Sequence, residues 1–246
     1  MTSRFYRKHL PRENLVSFEV RIKETDLWVA VDRNSYREGL KKELEEFIWK
    51  QRKLLEGFIE YHPEFQGTLE PYLVEEAPPL VFRMVRAGNC AGVGPMAAVA
   101  GVFAEMAGEF LLERGAGEVM VENGGDIFIK TLKKRVIGVF AGESSWSGKI
   151  GMEIKPSQTP LGICTSSGTV GPSFSRGAAD AVVVVSSSVP LADAAATALG
   201  NEVNSKEDLP RVVEMCKRIE GIKGIVAICQ GEMVAWGEVQ LSPLQE

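Results

Sequence analysis

A chain of 246 residues lies at the upper end of what one hydrophobic core spans, and an apolar fraction of 45% is enough to fill such a core. The net charge of -5, with acidic and basic residues interspersed and no long basic run, argues against a nucleic-acid binder, which needs a Lys/Arg stripe to displace counterions. Cys90, Cys164, Cys216 and Cys229 are too far apart for a CxxC motif and too sparse for a disulfide scaffold, so they read as reduced thiols. The amino-terminal MTSRFYRKHLPREN lacks the apolar stretch of a signal peptide, and no later run reaches the roughly 18 apolar residues of a membrane span. The expected location is therefore the cytoplasm, with no membrane partner.

Residues 15–23 and 26–31 read as a strand hairpin turning around Glu24-Thr25. A helix is expected from Ser35, because Ser35 and Glu38 have capping-box spacing. Its buried stripe is Leu40, Leu44, Phe47, Ile48, Leu55, Phe58 and Ile59. Residues 63–80, rich in Pro and Glu, read as a loop. The glycine-punctuated VFRMVRAGNCAGVG then leads into a small-residue helix from Pro95 to about Arg114. Strand signals follow at 118–122, 127–130, 135–140, 149–154, 161–165 and 181–186. An Ala-rich helix at 191–200 and an amphipathic one near 206–219 precede a terminal hairpin around Gln230-Gly231. Strands in adjacent hairpins with helices inserted between them predict an α+β fold, read as a single domain over 1–246, and not a regularly alternating parallel sheet.

Three stretches carry residues suited to chemistry. In VPLADAAATALGN, Asp193 and Thr197 are four apart and share a helix face. A carboxylate and a hydroxyl are hard oxygen ligands suited to Mg²⁺, although an Asp near a helix start also serves as a cap and a Thr as core filling. In VENGGDIFI, Gly124 and Gly125 form a tight turn or let a planar ligand approach the backbone, and Asp126 follows directly. In CTSSGTVGPSFSRGAADAVVVV, Thr165, Ser166 and Ser167 are donors suited to phosphate or to flavin carbonyls, or equally the groups of an ordinary polar loop. Cys164 beside them reads as a small buried side chain, since no positive partner is evident.

Taken in order, GGD, TSSG and ADAAAT resemble the ApbE family of magnesium-dependent flavin transferases, with the likeness clearest over residues 90–205. The resemblance implies an ApbE-like fold of antiparallel β-hairpins forming sheets packed against inserted helices. It implies Asp193 and Thr197 as Mg²⁺ ligands, and Gly124, Gly125 and Asp126 along the flavin nucleotide FAD. It also implies either transfer of FMN to a Thr or Ser of a protein acceptor, with loss of AMP, or hydrolysis of the FAD pyrophosphate. Two family features are missing: the His-x-x-Asp-Pro-x-Thr-Gly segment and the Lys-Gly-x-x-x-Asp helix start. GPSFSRGAADA and AGVGPMAAVAG occupy their places. In the first replacement Ser173, Ser175, Arg176 and Asp180 cluster, with Arg176 suited to phosphate. Arg83, Arg86 and Asn89 form a second possible anion set. Without the missing groups, the alternative is a protein that binds or carries a flavin nucleotide without chemistry. His9 and His62 fall outside the resemblance and read as structural or solvated.

Overall fold

The computed structural model describes residues 7, 10–168 and 177–244. Its centre is an eight-stranded sheet in which every neighbouring pair is antiparallel. In chain order its strands are β1 (Leu15–Ile22), β2 (Thr25–Asp32), β3 (Val119–Asn123), β4 (Asp126–Lys130), β7 (Leu161–Ser166), β8 (Ala181–Ser186), β9 (Ile222–Cys229) and β10 (Glu232–Gly237), and the same order runs across the sheet. Between β4 and β7 the chain departs to build β5 (Arg135–Gly138) and β6 (Ile150–Ile154). These pair with β11 (Leu241–Pro243) in a separate three-stranded sheet. The helices are α1 (Leu40–Tyr61), α2 (Glu64–Gly67), α3 (Pro79–Ala91), α4 (Val99–Glu113), α5 (Val189–Asn201) and α6 (Leu209–Cys216). They are inserted between hairpins, as the α+β reading expects.

The pleat sends alternate side chains to opposite faces. Val29, Val31, Val119, Val121, Phe128, Cys164, Val182 and Val184 join the helices in one core. Trp28, Ala30, Met120, Ile127, Ile129, Ile163 and Val183 pack with Ile137, Ile150, Met152 and Ile154 of the small sheet in another. A sheet covered on both faces has strands that are apolar throughout, which is why β8 reads AVVVVS rather than as an alternation. The expected stripe on α1 is present: Leu40, Leu44, Ile48, Leu55 and Phe58 are buried, and Phe47 and Ile59 pack half-buried against them.

Several local expectations are corrected. Helix α1 starts at Leu40, not Ser35, because the Ser35 hydroxyl donates to Asp32 at 2.8 Å, and Asp32 also accepts the Gly117 and Glu118 amides. The first hairpin turns one residue earlier than expected, with Lys23 at φ 53 and Ile22 paired to Thr25. The stretch read as loop and glycine-rich entry holds α2 and the whole of α3. The two prolines sit at the α3 start, where a missing N–H costs no helical hydrogen bond. The helix expected near 206–219 is a 3₁₀ turn followed by the shorter α6, and β11 carried no signal in the sequence. One helical stretch among the described residues, Pro95–Glu113, is long and apolar enough to cross a membrane, contrary to expectation; more than half of it is buried within the fold, as in a core helix.

Helices α4 and α5 touch through their first turns, where Gly101 makes room. A Cβ there would lie 2.7 Å from the Val189 carbonyl oxygen and 2.9 Å from the Asp193 Cβ. Gly→Ala inside a helix ordinarily adds about 0.5–1 kcal/mol. Gly101→Ala is expected to have the opposite sign, a loss of about 1–3 kcal/mol in urea unfolding, because backbone atoms cannot yield as a side chain would. A gain in stability would show that the helices are free to separate.

Candidate functional site

Asn123 and Asp126 are the cross-strand pair that closes the β3–β4 hairpin, with Gly124 at φ 70 and Gly125 at φ 109 as the two turn residues. Two left-handed residues in succession suit glycine and match the twist of a tight hairpin. The turn thus forms as the simpler reading has it, and it delivers Asp126 to the helix-facing side of the sheet.

There Asp126 meets groups from two other elements. The Thr165 amide and the Cys164 thiol, both on β7, hydrogen-bond to its carboxyl, and the negative charge of Asp193 on α5 acts on it. Burial, then the Asp193 charge, pushes the Asp126 carboxyl well above its ordinary range. Asp193 is pushed up to about 7 by burial, against hydrogen bonds from the Gly101 and Ala100 amides that favour its ionised form. The Gly101 bond measures 2.7 Å. Neither carboxylate has an ion-pair partner among the described residues. The Cys164 thiol is fully buried, lies 3.5 Å from the Val189 carbonyl oxygen, and is raised by burial and by both aspartates. It is therefore a protonated, inert group, as its sequence context suggested.

Asp193 does act as a cap, but of α4 rather than of its own helix, whose N-terminus is capped by Ser188. Glu105 of α4 returns the arrangement by accepting the Val189 amide at the start of α5 at 2.9 Å. Each helix thereby satisfies a free amide of the other. Asn123 adds a third tie, donating to the Ala100 carbonyl at 3.0 Å. Asn123, Ala100, Gly101 and Glu105 were not singled out in the sequence. Only the Asn-Gly turn pointed near them.

Thr197 lies one turn beyond Asp193 on the same helix and is half-buried. Thr165 and Ser167 are half-buried, Ser166 is buried, and the Ser167 hydroxyl donates to the Asp180 carbonyl at 2.8 Å. By pleat alternation Ser166 shares the face of Cys164, and Thr165 points to the other face. Arg176, with Ser173 and Ser175, lies outside the described residues, as does His9. The set Arg83, Arg86 and Asn89 is divided: Arg83 pairs with Glu105 and Glu109, Asn89 brackets the Tyr72 backbone, and Arg86 lines a cavity beside Ser187. His62 stacks on Phe58 at the end of α1.

A different cavity of about 480 Å³ has Ala100 and Asn123, the cross-strand partner of Asp126, in its wall. Its floor is apolar (Leu55, Met96, Val99, Phe103), and at its polar side Lys23 and Arg52 are ion-paired with Glu56 and Glu24. That volume and mixture suit a small organic ligand. The donor set also fits a hard divalent cation. The Asp126 and Asp193 carboxyls and the Thr197 hydroxyl are the oxygen donors concerned, and among the described residues no cluster of three or more His, Cys, Asp or Glu is placed to hold a metal.

A family profile described as AbpE bacteria matches residues 7–235. A UPF0280 protein of Methanosarcina acetivorans is 45% identical over 221 residues, covering 89% of this chain and 85% of that protein. One from Methanocella arvoryzae is 47% identical over 193 residues, 78% of each. Among solved structures, the ApbE protein of Thermotoga maritima superposes with a TM-score of 0.55 at 13% identity, covering 92% of this chain and 96% of that one. The flavinyl transferase ApbE of Pseudomonas stutzeri gives 0.51 at 14%, covering 91% and 94%. At these identities the likeness is one of fold, and the chain has the ApbE fold.

The raised carboxyl of Asp193 makes stability depend on pH. Between the ordinary Asp range and about 7 the folded protein keeps a proton that the unfolded chain releases, so stability is full at low pH and is lost as pH rises through about 7. In metal-free buffer, stability is expected to fall between about pH 4 and about pH 7, by an amount on the order of a few kcal/mol, and the accompanying fall in Tm should be flattened in Asp193→Asn. Mg²⁺ should restore the wild type at the higher pH and leave the variant unmoved. Equal slopes in both proteins would remove Asp193 as the titrating group.

Proposed function

We propose, for a chain that belongs to the family described as AbpE bacteria and groups with the UPF0280 proteins, Mg²⁺-dependent binding of FAD or a related dinucleotide, with chemistry at its pyrophosphate. The observation that carries this reading is the convergence of two buried carboxylates, from the Gly-Gly turn and from α5, with no ion-pair partner among the described residues. Relatives in fold are titled flavin transferases, which supports a flavin nucleotide as the ligand.

Asp193, Asp126 and Thr197 are the residues that would hold Mg²⁺. Bound there, the cation supplies neutralising charge to the pyrophosphate oxygens. The chain's own contribution is orientation: Gly101 and Ala100 fix one carboxylate, and the Thr165 amide fixes the other. The apolar cavity floor receives a ring system. Gly124, Gly125, Ser166, Ser167 and Arg176 are assigned to the nucleotide in the same reading. In the transfer reaction an acceptor hydroxyl oxygen bonds to the FMN phosphorus, its proton passes to solvent, and the bond to the bridging oxygen breaks to release AMP. In hydrolysis, water replaces the acceptor.

A second reading, binding and delivery of the nucleotide without chemistry, has its own support. No histidine follows His62 in the chain, and the Cys164 thiol is held protonated, so no activated nucleophile or neutral-range imidazole base stands at the aspartates among the described residues.

Titration calorimetry with FAD, with and without Mg²⁺, combined with an AMP assay on the same samples, separates these. Mg²⁺-dependent binding with AMP release is the expected result for an enzyme, and binding without AMP for a carrier. Absence of binding overturns both. Asp193→Asn keeps an oxygen for the Gly101 amide but is expected to lose the Mg²⁺-dependent gain in affinity. Thr197→Val is expected to weaken it less, since it removes one neutral ligand and keeps the shape. Loss of stability with binding spared in Thr197→Val would assign that residue to the core.

A further inference from the structure

Behind the Gly-Gly turn, on the sheet face opposite the aspartates, stands a buried charge cluster. Glu122 of β3 is 1% exposed among apolar neighbours, and the Arg7 guanidinium reaches it from the segment before β1. Arg7 Nε donates to Glu122 Oε2 at 2.6 Å, and its other nitrogens bond Asp26, through both carboxylate and carbonyl, and Glu19. The second Glu122 oxygen, Oε1, accepts the Gly125 amide at 2.8 Å. Both oxygens of one buried carboxylate are thus engaged, one by a cation and one by the turn residue that precedes Asp126. Burying such a pair costs more than an apolar pair of similar size would, so stability alone does not explain its place. What the carboxylate adds over its apolar neighbours is a fixed, charge-assisted bond to a glycine amide that would otherwise sample many conformations.

We propose that Arg7 and Glu122 are positioning residues of the candidate site: the chain from guanidinium to carboxylate to Gly125 amide locks the Gly124-Gly125 turn in the conformation that presents Asp126. Arg7 also offsets the charge of Glu122, which acts together with Asp193 on the Asp126 carboxyl. The inference deepens the Mg²⁺-nucleotide reading and rests on it for its functional consequence, but the locking of the turn is measurable without any ligand.

The test uses the full chain and two readouts. Amide hydrogen exchange at Gly125 reports the lock directly, and FAD calorimetry with and without Mg²⁺ reports its effect. Glu122→Ala is expected to raise exchange at Gly125 by about tenfold, as for loss of one charge-assisted hydrogen bond, with the strands beyond the turn unchanged. It should weaken FAD binding by a similar factor only when Mg²⁺ is present. Glu122→Gln, which keeps an acceptor oxygen for the amide but gives up the ion pair, should recover part of both losses, whereas Glu122→Leu, which fills the space without an oxygen, should recover neither. If Glu122→Ala does not fold, Arg7→Lys takes its place: its ammonium keeps the charge but lacks the planar fork that bonds Glu122 and Asp26 together, and the same direction is expected. Unchanged exchange at Gly125 in the folded variants overturns the proposal. If the wild type binds no FAD while exchange responds as expected, the nucleotide reading fails and the positioning of the turn stands.

Discussion

The first turns of α4 and α5 meet at Gly101, and each helix carries the carboxylate that satisfies a free amide of the other. Asp193 reaches Gly101 and Ala100, and Glu105 reaches Val189. Helix starts buried in a core need such acceptors, because water is not there to serve. The exchange fixes the two helices in one register against β4 and β7. It also holds a negative charge where the fold excludes solvent, and that charge is the origin of the site. A carboxylate tied by two amides cannot turn away from its neighbour, so when the Gly-Gly turn delivers Asp126 to the same place the two acids must share it. Burial favours a proton on each, and at Asp126 the Asp193 charge adds to it, which is why both carboxyls rise.

The central sheet separates two kinds of work. On the helical face lie the aspartates, the protonated Cys164 and the cavity wall of Asn123 and Ala100. On the other face the small sheet seals the apolar positions, and at the turn the Arg7–Glu122 pair replaces them with charge. The turn is therefore held from behind by side chains and in front by the Thr165 amide. A hairpin end is ordinarily among the looser parts of a sheet. Here it is tied on both sides, which suits a group that must hold its direction whether or not a cation is present.

The site presents hard oxygen donors; in the proposed reading they would bind and orient a phosphate-bearing ligand through a cation, and positioning with charge neutralisation accounts for most of phosphoryl transfer. The family's histidine-containing segment has no counterpart in the sequence, and the thiol nearest the aspartates is held in its unreactive form. In the proposed reading, the substrate or an acceptor protein would have to bring the remaining reactive group.

The sequence by itself determined the elements that rest on short-range rules. The stripe on α1, the Gln230-Gly231 hairpin with both residues at positive φ, the Gly124-Gly125 turn and the shared helix face of Asp193 and Thr197 all follow from spacings of a few residues. The order of GGD, TSSG and ADAAAT also carried the family resemblance, because each is a short motif legible within a few residues. Tertiary structure alone decided which partner each polar group takes. Ser35 had the spacing of a cap, yet Asp32 claims its hydroxyl. Asp193 had the position of a cap, yet serves α4 instead of its own helix. Gly88 and Gly92 read as punctuating the entry to the next helix, yet lie within and at the end of a helix of their own, packed on the core. Arg7 left no local trace at all, because its meaning lies in Glu122, 115 residues away in the chain. Local preference is worth a fraction of a kcal/mol per residue, whereas an unsatisfied group in the interior costs about 1–3 kcal/mol, so wherever the two compete the long-range partner wins.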